Sequence, residues 1–160
     1  MSRSGAAGFS PARLHAARLE AGKSPGQLAD DAGVPRPDVS KYEKGRTSPP
    51  PPRLAALARA LGTTGAALLE IPADGEGLAH IRAAAGLMQC QLAIPAGIGL
   101  KRYQLAELGQ RPLSDNDITG ISAVTAVPAS RIRAAHCRDT ARFKARAADR
   151  PGNRAVKARS

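Results

Sequence analysis

The first seventy positions combine apolar residues at helical spacing with glycines that end helices. Apolar side chains recur three or four residues apart, which places them on one face of a helix. Ser10-Pro11 and Ser24-Pro25 supply the residues preferred at a helix N-cap and at the position after it. The pattern predicts five short helices over positions 10–70: the third over about 36–44, the fourth over about 52–61 and a fifth capped by Thr64. The prolines at 49–52 predict a stiff, extended connector.

The same pattern returns 64 residues later in the chain without a gap. Glycines, an arginine, a Gln-Leu-Ala run and a Glu-x-Gly pair all recur at that offset. The matching pairs include Leu14 and Leu78, Arg18 and Arg82, Gly22 and Gly86, Gln27 and Gln91, Gly33 and Gly97, Glu43 and Glu107, and Gly45 and Gly109. Because self-similarity at a fixed period indicates repeated structural units, two related five-helix domains are predicted.

Alternating apolar and polar runs typical of strands are absent, and alanine, the best helix former, is abundant. The predicted fold class is therefore all-α, with two tandem five-helix domains followed by a basic tail. The predicted boundaries are a disordered N-terminus over 1–9, a first domain over 10–71, a more degenerate second domain over 75–134 and the tail over 135–160.

The region from Gln27 to Gly45 carries a set of residues at fixed spacing. It holds a Gln27-Leu28-Ala29 run, an Ala32-Gly33-Val34 turn and a Glu43-Lys44-Gly45 end of helix three, and Ala60-Leu61-Gly62 ends helix four. On these residues, positions 10–70 resemble the helix-turn-helix family of the phage-repressor type (Cro/CI, or Xre-like), and 75–134 resemble a degenerate copy. The resemblance implies a lambda-repressor-like fold in which a glycine turn sets helix three across helix two.

The resemblance also implies which residues meet DNA. Helix three would enter the major groove, which admits an α-helix, and the start of helix two would hold phosphate. The candidate groove-facing residues are Arg36, Asp38, Ser40 and Lys41, and the candidate backbone contacts are Gln27, Lys44 and Arg46. Glu43 is expected to support the fold by pairing with a nearby arginine such as Arg18.

Three prolines depart from the family pattern. Pro25 occupies a position where the family often has a phosphate-contacting glutamine, and Pro35 and Pro37 crowd the start of helix three. Because a proline disfavours helical angles in the residue before it, two starts of helix three stay open: Arg36, or Pro37 with Arg36 in the turn. Asp38 suits the positive end of a helix but repels DNA phosphate.

The second copy combines candidate DNA contacts with features that oppose DNA binding. The candidates are Gln89, Lys101, Arg102 and Gln104, whereas Leu105 and Leu108 fit a packing or dimer surface better. Pro95 falls inside the predicted second helix of this copy and must shorten or kink it. The sequence leaves open whether this domain is a second DNA-binding unit or a structural and interaction unit.

The charge of the chain favours a polyanionic partner. The formal net charge is +11, from 24 basic and 13 acidic residues, and cationic side chains displace counterions from nucleic-acid phosphates. An acidic membrane surface would suit the same charge. The basic residues from Arg131 onward indicate either a nucleic-acid arm or a solvated tail without a partner.

Other classes of function find little support in the sequence. The three histidines are scattered, and no nucleophile–base pair, phosphate-binding loop or metal-ligand spacing occurs, so no enzyme activity, cofactor or metal is expected. Two cysteines are too few for a disulfide scaffold and fit a reducing compartment. No apolar run reaches the roughly 18 residues of a membrane span, and no small-molecule-binding domain is evident. A cytoplasmic, nucleoid-associated protein is therefore expected.

The sequence thus predicts a bacterial transcriptional regulator, acting as a repressor, that binds duplex DNA sequence-specifically through helix three. Two arrangements fit: one chain reading two half-sites, or a homodimer on a two-fold operator. The alternative is an interaction module, such as an adaptor or an antitoxin-like partner, that kept the fold and has weak or no specific DNA binding. The prolines near helix three favour this alternative, whereas the net charge and Lys41 oppose it.

Overall fold

The computed structural model describes residues 5–149, in which helices account for the regular secondary structure. The first elements are α1 (Pro11–Glu20), α2 (Pro25–Ala32), α3 (Arg36–Glu43), α4 (Pro51–Ala60) and a 3₁₀ turn (Gly65–Leu68). They are followed by α5 (Leu78–Ala84), α6 (Gln89–Ala93), α7 (Leu100–Glu107), α8 (Asp115–Thr125) and α9 (Ala129–Ala148). Residues 5–149 contain no strand beyond an isolated bridge between Phe9 and Leu69, so the predicted all-α class is confirmed.

Local capping signals set the ends of the first helices. The Ser10 hydroxyl accepts a hydrogen bond from the backbone N–H of Arg13 at the start of α1. Ser24 and Gln27 form a reciprocal capping box at the start of α2, which satisfies two backbone donors that the helix leaves unpaired. Gly33 ends α2 with a φ of 64°, a left-handed conformation that glycine adopts without steric cost. The chain therefore reverses within two residues and enters α3.

Two hydrophobic clusters lie side by side and share one helix. We call residues 5–71 the first unit and residues 75–149 the second unit. The first cluster is built around Leu14, Leu28, Ala29, Val39, Leu54 and Leu57, and the second around Leu78, Ile81, Leu92, Tyr103, Ile121 and Ile132. Helix α5 contributes Ala83 to the first cluster and Leu78 and Ile81 to the second. The two cores are thus joined through a packed helix.

Several contacts of the first unit recur in the second unit at positions 64 residues later. Arg18 Nε donates to Glu43 Oε1 at 2.5 Å, and Arg82 Nε donates to Glu107 Oε1 at 2.7 Å. The same two arginines also donate to backbone carbonyls five residues ahead, those of Lys23 at 2.8 Å and Leu87 at 2.9 Å. The sequence matches at this offset therefore correspond to matching three-dimensional contacts.

Unlike surfaces of the two units meet at the junction. The end of the first unit, α4 and the 3₁₀ turn, packs on α5 at the start of the second unit. A Cβ atom added to Gly65 would lie 2.7 Å from the carbonyl oxygen of Ala84, and one added to Gly86 would lie 2.6 Å from Cβ of Ala55. The units are arranged head to tail, since different elements face each other across the junction.

The chain before α1 differs from the expected disordered N-terminus over 1–9. In residues 5–9, the backbone N–H of Ala6 donates to the Pro49 carbonyl at 2.8 Å, and Gly8 accepts from Glu70 N–H at 2.7 Å. Ala6 is buried. These contacts pair the segment with distant residues, which a local pattern does not reveal. Residues 1–4 lie outside the described residues.

The prolines at 49–52 form less of a connector than expected. Pro51 and Pro52 are the first residues of α4, whereas Pro49 and Pro50 precede it and Pro50 is extended, with a ψ of 155°. Proline is tolerated in a first helical turn because the N–H group that it lacks has no intrahelical partner there. Two of the four prolines therefore belong to the connector and two belong to α4.

Helix α3 begins at Arg36, as in the predicted range of about 36–44 and not at the alternative start, Pro37. The preference imposed by Pro37 is overcome because only Val34 and Pro35 separate Gly33 from the helix, and Val34 is buried. The guanidinium of Arg36 is held by two hydrogen bonds to Asp30, at 3.1 and 2.6 Å. Arg36 therefore lies in the first turn of α3 and not in the preceding turn.

The second unit differs from the first at two helices. Helix α6 ends at Ala93, which confirms that Pro95 shortens this helix. Helix α9 runs through the expected boundary between a domain ending at 134 and a tail over 135–160, and it remains helical to Ala148. Residues 150–160, the rest of the expected tail, lie outside the described residues.

Candidate nucleic-acid interface

Helix α3 has a buried face and an exposed face. Val39 and Tyr42 point into the first core, and the ring of Phe9 packs edge-on against Tyr42 with centroids 6.3 Å apart. On the opposite side Arg36, Pro37 and Lys41 are exposed. Packing against α1, α2 and the N-terminal segment therefore fixes the helix from behind and leaves its polar face open.

The C-terminal end of α3 is held by an ion pair behind that exposed face. Glu43 accepts hydrogen bonds from Arg18 at 2.5 and 3.0 Å and contacts His15 at 3.2 Å, which confirms the expected pairing with Arg18. Burial raises the pKa of Glu43, but the hydrogen bonds from Arg18 and His15 outweigh this effect and leave its pKa below the ordinary value. Glu43 is thus an ionised support for α3.

Two groove-facing candidates at the start of α3 are engaged within the protein. Arg36 forms its two hydrogen bonds with Asp30 at the end of α2, and both side chains are more than half exposed. Asp38 accepts from Lys41 Nζ at 3.3 Å and from Arg53 Nη1 at 2.9 Å. The Arg36–Asp30 pair is exposed, and exposed ion pairs contribute little to stability, so Arg36 is free to exchange Asp30 for an incoming ligand.

The remaining candidates of the first unit differ in their surroundings. Lys44 and Arg46 are exposed and make no side-chain hydrogen bond or ion pair within residues 5–149, and Ser40 is half-buried. Gln27 closes the capping box, with its Oε1 accepting from Ser24 N–H at 2.8 Å. The first unit therefore presents Lys41, Lys44 and Arg46 along the exposed side and the end of α3.

One residue at this surface escaped the sequence interpretation. Arg53, on α4, donates from Nη1 to Asp38 and also to the Tyr42 hydroxyl at 3.1 Å. It ties α4 to both faces of α3. The only sequence signal was one of the two arginines of a largely apolar helix, which any solvated arginine would also give.

The candidates of the second unit are bound more tightly inside the protein. Gln89 donates to Glu107 at 2.6 Å and accepts from Gln104 at 3.2 Å, while Arg102 pairs with Asp117 at 2.6 Å. Glu107 also accepts from Arg82 and from the hydroxyl of Tyr103. Burial, and then the charge of Glu107, raise the pKa of Tyr103 well above its ordinary value. Among these candidates, Lys101 alone has no polar side-chain partner in residues 5–149.

The surface of the second unit that corresponds to the open face of the first unit is turned toward the first unit. Gln89, Leu100 and Gln104 line a cleft to which Gly5 and Pro51 also contribute. A neighbouring cleft brings Glu107 and Leu108 close to Ser48. The N-terminal segment of the first unit therefore lies beside these side chains, of which Leu100 and Leu108 remain 40% and 46% exposed.

Helix α9 uses its arginines to hold the segment between the units. Arg142 donates to Asp74 at 2.6 and 2.7 Å, and Arg131 binds Glu76, with one bond at 2.8 Å. Asp139 accepts from the backbone N–H of Leu78 at 2.8 Å at the start of α5. Arg142 and Asp139, which belong to the expected basic tail, are thus engaged with the protein itself.

Residues 5–149 contain neither a group of side chains suited to a metal ion nor a helix suited to spanning a membrane. No three histidine, cysteine, aspartate or glutamate side chains of residues 5–149 are grouped so that they could hold a metal ion. Cys90 and Cys137 are exposed free thiols. None of the described helices is both long and apolar enough to cross a membrane.

The comparison with known families agrees with the geometry of the first unit. Residues 12–71 match the family model of a helix-turn-helix domain. This stretch covers α1 to α4 and the 3₁₀ turn, and it contains the Gly33 turn and the open face of α3. The first unit is therefore similar to a helix-turn-helix domain in its sequence and in the order of its helices. Neither a curated protein nor a solved structure is significantly similar to the chain.

Proposed function

We propose that the protein is a transcriptional repressor that binds duplex DNA sequence-specifically and reads the major groove with α3. The observation that carries the proposal is the open face of α3, which presents Lys41, Lys44 and Arg46 while its apolar face is packed in the core. A helix presented in this way fits the major groove, and lysine and arginine can bond guanine edges or phosphate. Arg36, Asp38 and Ser40 complete the groove-facing set, and Gln27 lies near the phosphates.

The second unit, in this proposal, is a related five-helix copy that has lost DNA binding. The recurrence of the Arg–Glu pair and its backbone contact 64 residues later supports the common origin. Gln89 and Gln104 are bonded to each other and to Glu107, and the corresponding face is turned toward the first unit. The head-to-tail junction lacks the two-fold relation that adjacent operator half-sites require of two recognition helices. A homodimer would supply this relation.

Selection of bound sequences from a random duplex pool by the full chain tests the proposal. We expect an enriched site, which for a homodimer is a palindrome with half-sites about 10 base pairs apart. Lys41→Ala should then lower specific affinity by roughly 1–3 kcal/mol and leave non-specific affinity nearly unchanged. Lys101→Ala, an exposed lysine on α7, is the matched control and should change neither.

The rival function is an interaction module with the same fold. It is favoured by the pairing of Arg36 with Asp30 and of Asp38 with Arg53, which lowers the unpaired charge on the surface of α3. It is also favoured by Leu108, an apolar side chain that is 46% exposed beside the cleft. Under this function the pool yields no enriched site, and Lys41→Ala has no effect that Lys101→Ala lacks. Binding that depends steeply on salt but has no preferred sequence would indicate charge alone.

A further inference from the structure

An ion pair joins the third and fourth helices of both units, but with its charges exchanged. In the first unit Asp38 on α3 accepts from Arg53 on α4 at 2.9 Å. In the second unit Asp117 on α8 accepts from Arg102 on α7 at 2.6 Å. The positions correspond at the 64-residue offset, 38 with 102 and 53 with 117. The same bridge is thus built with the carboxylate on opposite helices.

We infer that the Asp38–Arg53 pair determines sequence specificity: Arg53 is a positioning residue that holds the Asp38 carboxylate toward the major groove, where it selects cytosine. The inference rests on the proposed function of α3. An aspartate accepts a hydrogen bond from the N4 amino group of cytosine and cannot bond the acceptor-only edge of guanine. Asp38 therefore favours cytosine by a hydrogen bond and disfavours guanine, whose edge offers it no donor.

The geometry leaves Asp38 able to accept from a base. Lys41 binds Oδ1 and Arg53 binds Oδ2, and each carboxylate oxygen has a second lone pair. Asp38 is the third residue of α3, near the positive end of the helix dipole. Its side chain is 22% exposed, so it is accessible from outside and yet held from two sides.

The two cations also reduce the repulsion between Asp38 and DNA phosphate. Arg53 uses one nitrogen, Nη1, for both Asp38 and the Tyr42 hydroxyl. Because Tyr42 is buried in the core, Arg53 connects the carboxylate to a fixed point of the fold. Loss of Arg53 would leave Asp38 with Lys41 as its only side-chain partner among the described residues, and the Lys41 side chain is itself 50% exposed.

The second unit shows how the charges of the Asp38–Arg53 pair can be exchanged between the two helices. The double variant Asp38→Arg/Arg53→Asp copies the order of Arg102 and Asp117, so both partners remain. The variant Asp115→Arg/Arg133→Asp exchanges the charges of a pair in the second unit, whose atoms lie 2.7 Å apart and whose side chains are both exposed. It is the matched control for folding and for total charge.

The experiment is selection from a random duplex pool with the full chain, accompanied by thermal unfolding of each variant. We expect the first double variant to exchange a cytosine for a guanine at one position of the selected half-site, with a preference of about tenfold. The control variant should select the wild-type sequence. Arg53→Gln should weaken the cytosine preference at that same position, and Arg53→Lys, which keeps the charge, should restore it in part.

The outcomes separate this inference from the proposed function. A wild-type chain without any preferred sequence contradicts the proposed function itself. A wild-type chain with a preferred site that the double variant selects unchanged overturns the inference. If the double variant unfolds, two single variants test the inference instead: Asp38→Asn, which keeps the shape of the side chain, and Arg53→Gln. An unchanged base preference in both single variants overturns the inference. Equal loss of affinity on every sequence in Arg53→Gln would make Arg53 a phosphate contact only and would also overturn it.

Discussion

Ala126 follows α8 in the left-handed conformation that Gly62 adopts after α4, 64 positions earlier in the chain. Their φ angles are 57° and 67°, and Ala126 is the one non-glycine residue of the described range with a positive φ. A side chain in this region brings Cβ too close to the following carbonyl oxygen and costs roughly 1–2 kcal/mol. The second unit therefore keeps a backbone shape that suits the glycine of the first unit.

Ala126→Gly should stabilise the protein by about 0.5–1 kcal/mol, since relief of the left-handed strain exceeds the added entropy of the unfolded chain. Chemical denaturation of the full chain measures the change. Ala123→Gly, at an exposed position inside α8, is the control and should destabilise by about 0.5–1 kcal/mol. Equal losses in both variants would show that the turn after α8 tolerates alanine without strain.

The junction between the units predicts an effect of opposite sign. Gly65→Ala would place a Cβ atom 2.7 Å from the Ala84 carbonyl oxygen, which is backbone and cannot rotate away. Such overpacking costs about 1–3 kcal/mol, so the thermal midpoint should fall. Gly26→Ala, in α2, meets nothing closer than 3.9 Å and should be neutral or stabilising. An unchanged midpoint in Gly65→Ala would mean that the two units separate easily.

Much of the first unit could be predicted because its signals are local. Ser10, Ser24 and Gly33 each act on backbone groups within a few residues, so helix ends followed from the sequence alone. Pro95 likewise ended α6 through a hydrogen bond that it cannot make. The Arg18–Glu43 pair was also predicted, from a resemblance to a family in which an acidic residue ends the third helix.

The errors concern residues whose partners are distant in the chain. Residues 5–9 looked frayed because their long-range hydrogen bonds join them to Pro49 and Glu70. Helix α9 looked like a tail because its arginines pair with Asp74 and Glu76, more than fifty residues earlier. Arg53 was missed for the same reason, since no periodicity indicates a cross-helix pair. The candidate site residues of the second unit could be named from the sequence, but the contacts that bind Gln89, Arg102 and Gln104 within the protein could not be predicted.

Glu43 predicts a pH dependence of stability. Its folded-state pKa lies below the ordinary value of 4.5, so its ionised form contributes stability above that pH, and the contribution is lost as the pH falls through the folded pKa. Glu43→Gln should therefore cost about 2 kcal/mol near neutral pH and progressively less below pH 4.5. Unfolding by urea at several pH values, compared between wild type and variant, measures this.

The comparison between variants matters because another acid acts in the opposite direction. Burial raises the pKa of Asp139, so protonation of Asp139 favours the folded state as the pH falls and partly masks the loss from Glu43 in the wild-type curve. Glu20→Gln is the control, because Glu20 is exposed and should show no such pH-dependent difference. A Glu43→Gln difference that stayed constant from pH 7 to pH 3 would contradict the role assigned to its charge.

The basic residues that follow α9 predict a salt dependence of DNA affinity, and their effect can be measured separately from that of the arginines on α9. Deletion of 150–160 removes Arg150, Arg154, Lys157 and Arg159. If these four cations neutralise phosphates, the slope of log affinity against log salt on random duplex should become shallower by roughly 3–4. The double variant Arg131→Gln/Arg142→Gln is the control, since Glu76 and Asp74 already neutralise both arginines. We expect it to change the slope by less than about one, with folding verified by circular dichroism. An unchanged slope after the deletion would leave the tail without a role in DNA binding and assign the whole slope to the helix-turn-helix surface.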